Sequence, residues 1–529
     1  LSAQGRLGLL VEASTRLAGS LDLRAVAAGL ARTVVPGLAD RAHVDLVEAL
    51  FHPDMPVDEV SGVMCRVARA DGDGSAAPGR EDEWIAYPAG GAAATAMATG
   101  VAQAESSSSG AAALFVPLRA RGRVLGVVGL TRTGRVLPYH PADVALAEEI
   151  ASRAALALDN VRLYDEARAT SVALQRSLLP TVQPKVTGVD TAHRYLPGRR
   201  DVGVGGDWFD VIPLSCGRVA LVIGDVMGRG LRAAAAMGQL RTAVRTLAVL
   251  DHLPEDVLRH LDDLAQGTDE VQLATCVYSV FDPVERSLSF ATAGHPPPVV
   301  RRPDGSTELL RQPSGAPLGV GGVAFESTTV PIADGSRLLL YTDGLVESRG
   351  TDLDDGLAAM TGAFRESSGP LDPVCDHLLA MTGRDDGHDD DVALLVAELS
   401  GLDADRVGTW RLAGGGESVA EARAWVRTRL DDWGLGSLGE PGELLTSELV
   451  TNALRHASGP IELTALLLDE MVTLAVRDAE APLPRLRRVG DADEGGRGLQ
   501  LVAALSSRWG ARPTAAGKVV WCELPRPRT

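Results

Sequence analysis

The chain has 529 residues, 45% of them apolar, and carries 51 basic against 70 acidic side chains for a net charge of −19. That length predicts three or four domains with well-filled cores, and the acidic balance excludes a general nucleic-acid-binding or anionic-membrane surface. Five scattered cysteines without a CxxC exclude a zinc or disulfide framework and fit a reducing cytoplasm, while no apolar run reaches the ~18 residues of a membrane span and no signal peptide is visible.

In chain order, the apolar spacing predicts helices over Arg6–Ala18 and Leu23–Val35, the second capped by Asp22, then strands at Ala113–Leu118 and Arg123–Thr131. The Gly/Ala/Ser-rich stretch 89–112 reads as a flexible loop. Pro141 opens one helical run that ends at Pro180, roughly 38 residues and ~57 Å long. Its apolar positions Val144, Ala147, Ile150, Ala154, Leu158 and Val161 step by three and four, as the seam of a parallel homodimer would. Residues 181–400 alternate short β-rich runs with helices at Leu231–Val249 and Pro254–Leu264. From about 401 a fresh pattern begins: a strand at Gly408–Leu412, a helix at Ser418–Trp433 and the strongly helical 442–457. Strands at 461–468 and 471–477, a helix at 497–507 and a last strand at 518–523 follow. Only two lysines occur, Lys185 and Lys518, which reads as compositional bias.

Four separated acidic motifs carry the chemistry: GGDWFD at 205–210, GDVMGRG at 224–230, YTDGLVES at 341–348 and DDDV at 389–392. Carboxylates gathered at strand ends repel one another unless cations neutralise them, and hard divalent ions want oxygen ligands. The pattern points to a two-metal hydrolase. With RSLLP, RYLP, AGHPPP and PLGV, these motifs run in order over 176–396. The ordered set resembles the metal-dependent (PPM-type) protein serine/threonine phosphatases of the SpoIIE/RsbU group. That resemblance implies two Mn²⁺ or Mg²⁺ ions. Asp207 and Asp225 would bind one, with Asp225 bridging and the Val226 carbonyl helping, and Asp343 and Asp390 would complete the second. Asp210 reads as a supporting residue, Asp389 as solvated, and Asp390 is preferred over Asp391 by its place before the apolar strand. His295, among three prolines, reads as a turn residue rather than a general acid, and Met227 leaves no obvious protein acid. The alanine-rich segment 231–249 resembles the helix that couples regulatory input to the metal site in this group.

In ELLTSELVTNALRHA, Glu448 and Asn452 fall at i and i+4 on one helical face, with Arg455 or His456 following. This stretch resembles the N-box of GHKL ATPases, particularly the anti-sigma-factor serine kinases. By that resemblance Asn452 would hold Mg²⁺, Asp478 would receive the adenine amino group, and Gly495, Gly496 and Gly498 would offer amides to phosphates at a helix start. The sequence departs after Asp478, where Ala-Glu-Ala-Pro replaces the usual glycines. The segment 1–163, through its tail VPLRARGRVLGVVGLTRTG and the following helix, resembles a GAF sensor without a Cys–His chromophore pair; Cys65 reads as a small buried hydrophobe.

The expected fold is therefore a multidomain α/β (α+β) chain. It comprises a GAF α/β sandwich (1–163), a helical connector (141–180), a PPM αββα sandwich (181–400) and a GHKL α/β sandwich (401–529). The resemblances imply a cytoplasmic phosphatase that dephosphorylates a STAS-type anti-sigma-factor antagonist, with Mg-ATP and a sigma factor as further partners of the C-terminal domain. Two alternatives stand beside this reading: a sigma-factor-binding scaffold with a vestigial ATP site, and a phosphatase for a small phosphoester.

Overall fold

The computed structural model describes residues 3–17, 19–51, 63–72, 76–106, 111–133, 138–178, 184–198, 205–228, 230–268, 273–312, 315–347, 352–381, 390–412, 417–456, 459–480, 498–514 and 517–527. The chain divides into two compact units, 1–172 and 173–529.

In the first unit, helices α1 (Ala3–Leu17), α2 (Leu23–Val34), α3 (Ala92–Thr99) and α4 (Pro141–Leu178) accompany six strands. These are β1 (Arg41–Val47), β2 (Val63–Asp71), β3 (Ala76–Ala86), β4 (Gln103–Ser106), β5 (Ala112–Ala120) and β6 (Arg123–Arg132). They form one antiparallel sheet in the order β3-β2-β1-β6-β5-β4. Asp22 caps α2 by accepting from the Arg24 amide at 2.8 Å. The stretch 89–112 is not all loop. Gly91 starts α3, Gly100 ends it at φ +65°, and β4 follows. Alanine's helix propensity outweighs the glycines on either side.

The expected dimer seam on α4 is also corrected. Ala147, Ile150, Ala154, Leu158 and Val161 are buried in the core of their own unit, with Val144 packed against it. A stripe already covered by its own sheet and helices offers no seam to a second copy.

The second unit holds two layered domains. The first has strands β7 (Val189–Leu196), β8 (Asp207–Pro213), β9 (Val219–Val226), β10 (Ala274–Asp282), β11 (Ser287–Ala293), β12 (Val299–Arg301), β13 (Thr307–Leu309), β14 (Thr328–Pro331), β15 (Ser336–Tyr341) and β16 (Val392–Leu399). Its helices are α5 (Leu231–Val249), α6 (Pro254–Gln266), α7 (Leu353–Glu366) and α8 (Leu371–Ala380). The strands make two antiparallel sheets, β14-β11-β10-β9-β8 and β13-β12-β15-β16-β7. Three apolar cores separate four layers. One lies between α5–α6 and the first sheet, one between the sheets around Phe209, Ile223 and Leu395, and one between the second sheet and α7–α8. This is an αββα sandwich. Strands buried on both faces explain why β9 reads as an unbroken apolar run.

The second domain has strands β17 (Val407–Leu412), β18 (Ile461–Leu467), β19 (Met471–Asp478), β20 (Arg508–Thr514) and β21 (Gly517–Pro525), with helices α9 (Glu417–Asp432), α10 (Gly439–His456) and α11 (Gly498–Leu505). Its sheet, β17-β18-β19-β21-β20, carries the helices on one face. The opposite face, through Leu466, Ala475, Val519 and Trp521 together with Leu402 of the connecting segment, meets Cys216 of the sandwich. All five cysteines are buried and free, Cys65 among them.

Candidate metal centre

The antiparallel register places Asp207, first residue of β8, directly opposite Asp225 on β9. On the second sheet, β15 runs into the turn that begins at Asp343, and Asp390 immediately precedes the segment leading into its neighbour β16. Each sheet thus contributes one pair of acids. Thr342 joins the pairs: its hydroxyl donates to Asp207 Oδ2 at 2.8 Å and accepts from the Ala393 amide at 2.9 Å.

Burial first, and then the neighbouring carboxylates, raise Asp207, Asp225 and Asp343. The Asp207 carboxyl is held well above its ordinary range by burial and then by Asp225. Asp225 is pushed up to about 6, chiefly by burial, with Asp343, Asp390 and Asp391 adding to it. Burial, then Glu347 and Asp390, raise Asp343. Crowded carboxylates of one sign, partly removed from water, are the environment that a divalent cation relieves.

The backbone closes around them. A side chain on Gly206 would run into the Val226 carbonyl and the Asp225 carboxylate, and one on Gly344 into the Asp391 carbonyl. Only a residue without a Cβ allows this approach. Among the described residues, no three or more His, Cys, Asp or Glu side chains are already drawn together closely enough to hold a metal ion. The donor set fits hard cations by its chemistry, by its mutual repulsion and by this glycine-lined cradle.

The other sequence candidates separate clearly. Asp210, 1% exposed, points to α5, accepting from Arg241 Nε at 3.1 Å and from Arg245 at 2.6 and 3.0 Å. His295 is buried with both ring nitrogens engaged. Nε2 donates to the Tyr341 carbonyl at 3.0 Å, so Nδ1 accepts from the Thr275 hydroxyl at 2.7 Å. Burial lowers it to about 4. It is neutral at pH 7, with both ring nitrogens committed inside the sandwich. Asp389 lies outside the described residues. Asp390 is exposed, whereas Asp391 is partly buried, accepts from the Gly198 amide at 2.8 Å and contacts Tyr195. Sequence reasoning did not single out Thr342, Tyr195 or this anchoring of Asp391. A threonine just before Asp343 was the one visible signal.

In the C-terminal domain, Glu448 and Asn452 lie half-buried on α10, and the Glu448 carboxylate lies against Gly498 at the start of α11. Gly495 and Gly496 lie outside the described residues. Asp478, at the end of β19, is 2% exposed. Its Oδ1 accepts from Lys518 Nζ at 2.8 Å, and its Oδ2 has no partner. Lys518 also donates to the Glu480 carbonyl at 3.1 Å.

Comparison with known proteins agrees with this layout. Residues 65–160 match the GAF domain family, 215–400 the family described as Stage II sporulation protein E (SpoIIE), and 416–523 the histidine kinase-like ATPase domain. The chain is 29% identical over 148 residues to the phosphoserine phosphatase RsbP of Bacillus subtilis (strain 168), covering 27% of this chain and 36% of RsbP. It is 24% identical over 178 residues to the phosphoserine phosphatase RsbU of the same organism, covering 33% of this chain and 52% of RsbU. The chain therefore spans about a third to a half of the length of these relatives. The crystal structure of the RsbU and RsbW domains of a Mycobacterium tuberculosis protein covers 66% of this chain and 97% of that one, at 29% identity and a TM-score of 0.41. The chain carries, in order, a GAF domain, a SpoIIE-type domain and a histidine-kinase-like ATPase domain.

Proposed function

We propose that residues 181–400 are a metal-dependent protein serine/threonine phosphatase acting in a sigma-factor partner-switching pathway. Its substrate is a phosphorylated STAS-type antagonist of an anti-sigma factor. The observation that carries this reading is the facing pair Asp207 and Asp225, tied by Thr342 to the sheet that ends in Asp343. Two Mn²⁺ or Mg²⁺ ions, when bound, supply a water acidified to neutral pH and charge neutralisation at the phosphoryl oxygens. Asp207, Asp225, Asp343 and Asp390 would hold them, with the Val226 carbonyl. Thr342 fixes the rotamer of Asp207. His295 donates no proton to a leaving group, because both of its nitrogens are committed. Similarity to two phosphoserine phosphatases supports the phosphoester class.

Asp343→Ala removes a ligand and should lower turnover at least about a hundredfold on a phosphoserine peptide with Mn²⁺. Near-normal turnover in that variant at saturating metal would overturn the assignment. Turnover of an aryl phosphate but not of the peptide would favour a small-phosphoester phosphatase instead.

A second reading concerns residues 401–529, which we assign as a Mg²⁺-ATP site with kinase activity toward an anti-sigma-pathway partner. The partnerless, buried Oδ2 of Asp478 supports it, because such an acceptor suits the adenine amino group. Asn452 would hold Mg²⁺, and Gly495, Gly496 and Gly498 the phosphates. Since Oδ1 is already taken by Lys518, affinity should be modest, tens of micromolar or about −6 kcal/mol. Calorimetry on the full chain should show ATP preferred over GTP and lost in Asp478→Asn. No heat with millimolar Mg²⁺-ATP would leave a partner-binding scaffold.

A further inference from the structure

Where the sandwich and the C-terminal sheet meet, a cleft of about 630 Å³ opens beside their apolar contact, with walls from both domains. That volume lies in the range of small-molecule sites, ~300–1,000 Å³. Three guanidinium groups face it, and their partners differ. Arg218 is committed, donating to Asp251 Oδ1 at 2.7 Å and to Ser215 Oγ at 3.0 Å. Arg477 is committed to Glu285 at 2.8 Å.

Arg512 on β20 is not satisfied. Its nearest carboxylate is Asp282 at 4.0 Å, and the other oxygen of that carboxylate already accepts from the Val284 and Glu285 amides. The Arg512 Nε is buried and donates to nothing. Burial, then the adjacent Arg218 charge, push the Arg512 guanidinium below its ordinary value. Two further buried atoms in the same walls lack partners, Thr514 Oγ1 and Glu255 Oε2. A guanidinium with a partnerless Nε beside a free hydroxyl is the recognition chemistry of phosphate and carboxylate groups. An unfilled carboxylate oxygen nearby calls for a donor on the same molecule.

We propose that this interdomain cleft binds a small anionic metabolite. Arg512 and Thr514 hold its phosphate or carboxylate group, and Glu255 accepts from one of its hydroxyl or amino groups. The site is separate from both proposed catalytic centres and uses residues of each domain. Its occupant would tie the first turn of α6 to the edge strand β20.

The test is isothermal titration of the full chain in chelator, which keeps anions from the metal centre, with inorganic phosphate in one arm and malonate in the other. Saturable heat in at least one arm is expected, and the stronger arm identifies the anion. Arg512→Leu should weaken it at least about tenfold, with Arg512→Lys retaining part. If Arg512→Leu unsettles the fold, seen as loss of cooperative unfolding, Thr514→Val carries the same comparison with the charge left in place. Absence of saturable heat in both arms at millimolar anion, or equal affinity in wild type and a folded variant, would overturn the proposal.

Discussion

The Thr342 hydroxyl donates to Asp207 Oδ2 at 2.8 Å, although the two residues belong to different sheets and lie 135 positions apart. Thr342 also takes the Ala393 amide, so one side chain locks a carboxylate of β8 to the strands β15 and β16. Residues that orient metal ligands typically cost ~10–100-fold in metal affinity when lost. Thr342→Val should therefore raise the Mn²⁺ concentration for half-maximal turnover at least about tenfold, whereas Thr342→Ser should stay close to wild type. A metal titration of activity reads this directly; equal titrations for all three proteins would mean the bond only braces the sheets.

Asp210 ties β8 to α5 through Arg241 and Arg245. Asp210→Ala leaves two guanidinium groups facing a site they were built to neutralise, and should cost about 3–5 kcal/mol. Arg245 is about half exposed (47%), so Arg245→Ala should cost only about 1 kcal/mol. Urea denaturation of the two variants separates them, and equal losses would contradict the burial argument.

His295 stays neutral in the fold down to about 4, while an unfolded chain protonates it near 6.5. Protons therefore favour the unfolded chain in that window. The stabilisation is complete above pH 6.5 and is lost as pH falls toward 4, by up to roughly 3 kcal/mol. His295→Gln should be less stable at neutral pH but show a flatter acid limb in denaturation measured from pH 7 to 4. Folded variant should retain its turnover. A hundredfold loss of turnover without loss of stability would make His295 catalytic after all.

Leu158 is fully buried in the core of the first unit. Leu158→Glu should unfold that unit, removing its thermal transition, because a charge cannot be carried into an apolar core without a partner. The same substitution on an intermolecular seam would instead leave the monomer folded and shift sedimentation from dimer to monomer.

Local features were readable in the sequence where their cause is local. The bounds of α4, α5 and β6 follow from proline, alanine and apolar spacing, and Asp22 capped the helix expected of it. Helices α7 and α8 and the strand β20 escaped notice. Gly356 and Gly362 dilute the pattern of α7, and β20, RWGARPT, is an edge strand whose glycine, proline and arginines obscure alternation. The four aspartates of the proposed centre stood out through their motifs. What surrounds them did not, because Thr342 against Asp207 and Lys518 against Asp478 are products of strand pairing over long separations. No spacing rule encodes such pairs. The α4 stripe shows the converse: a three-four period states that a helix face is buried, but not by what.

The burial of Lys518 has a consequence for covalent chemistry. The chain has two lysines; Lys185 is exposed and Lys518 is 3% exposed, its amine shared between Asp478 and the Glu480 carbonyl. An acylating reagent, or an acetyl-transferring enzyme, thus meets a surface on which arginine has displaced nearly every side-chain amine. Lys185 is open to it, and Lys518 reacts only when the ion pair at the end of β19 opens. Acylation of that single residue, read by mass, is a natural clock for the breathing of the C-terminal domain.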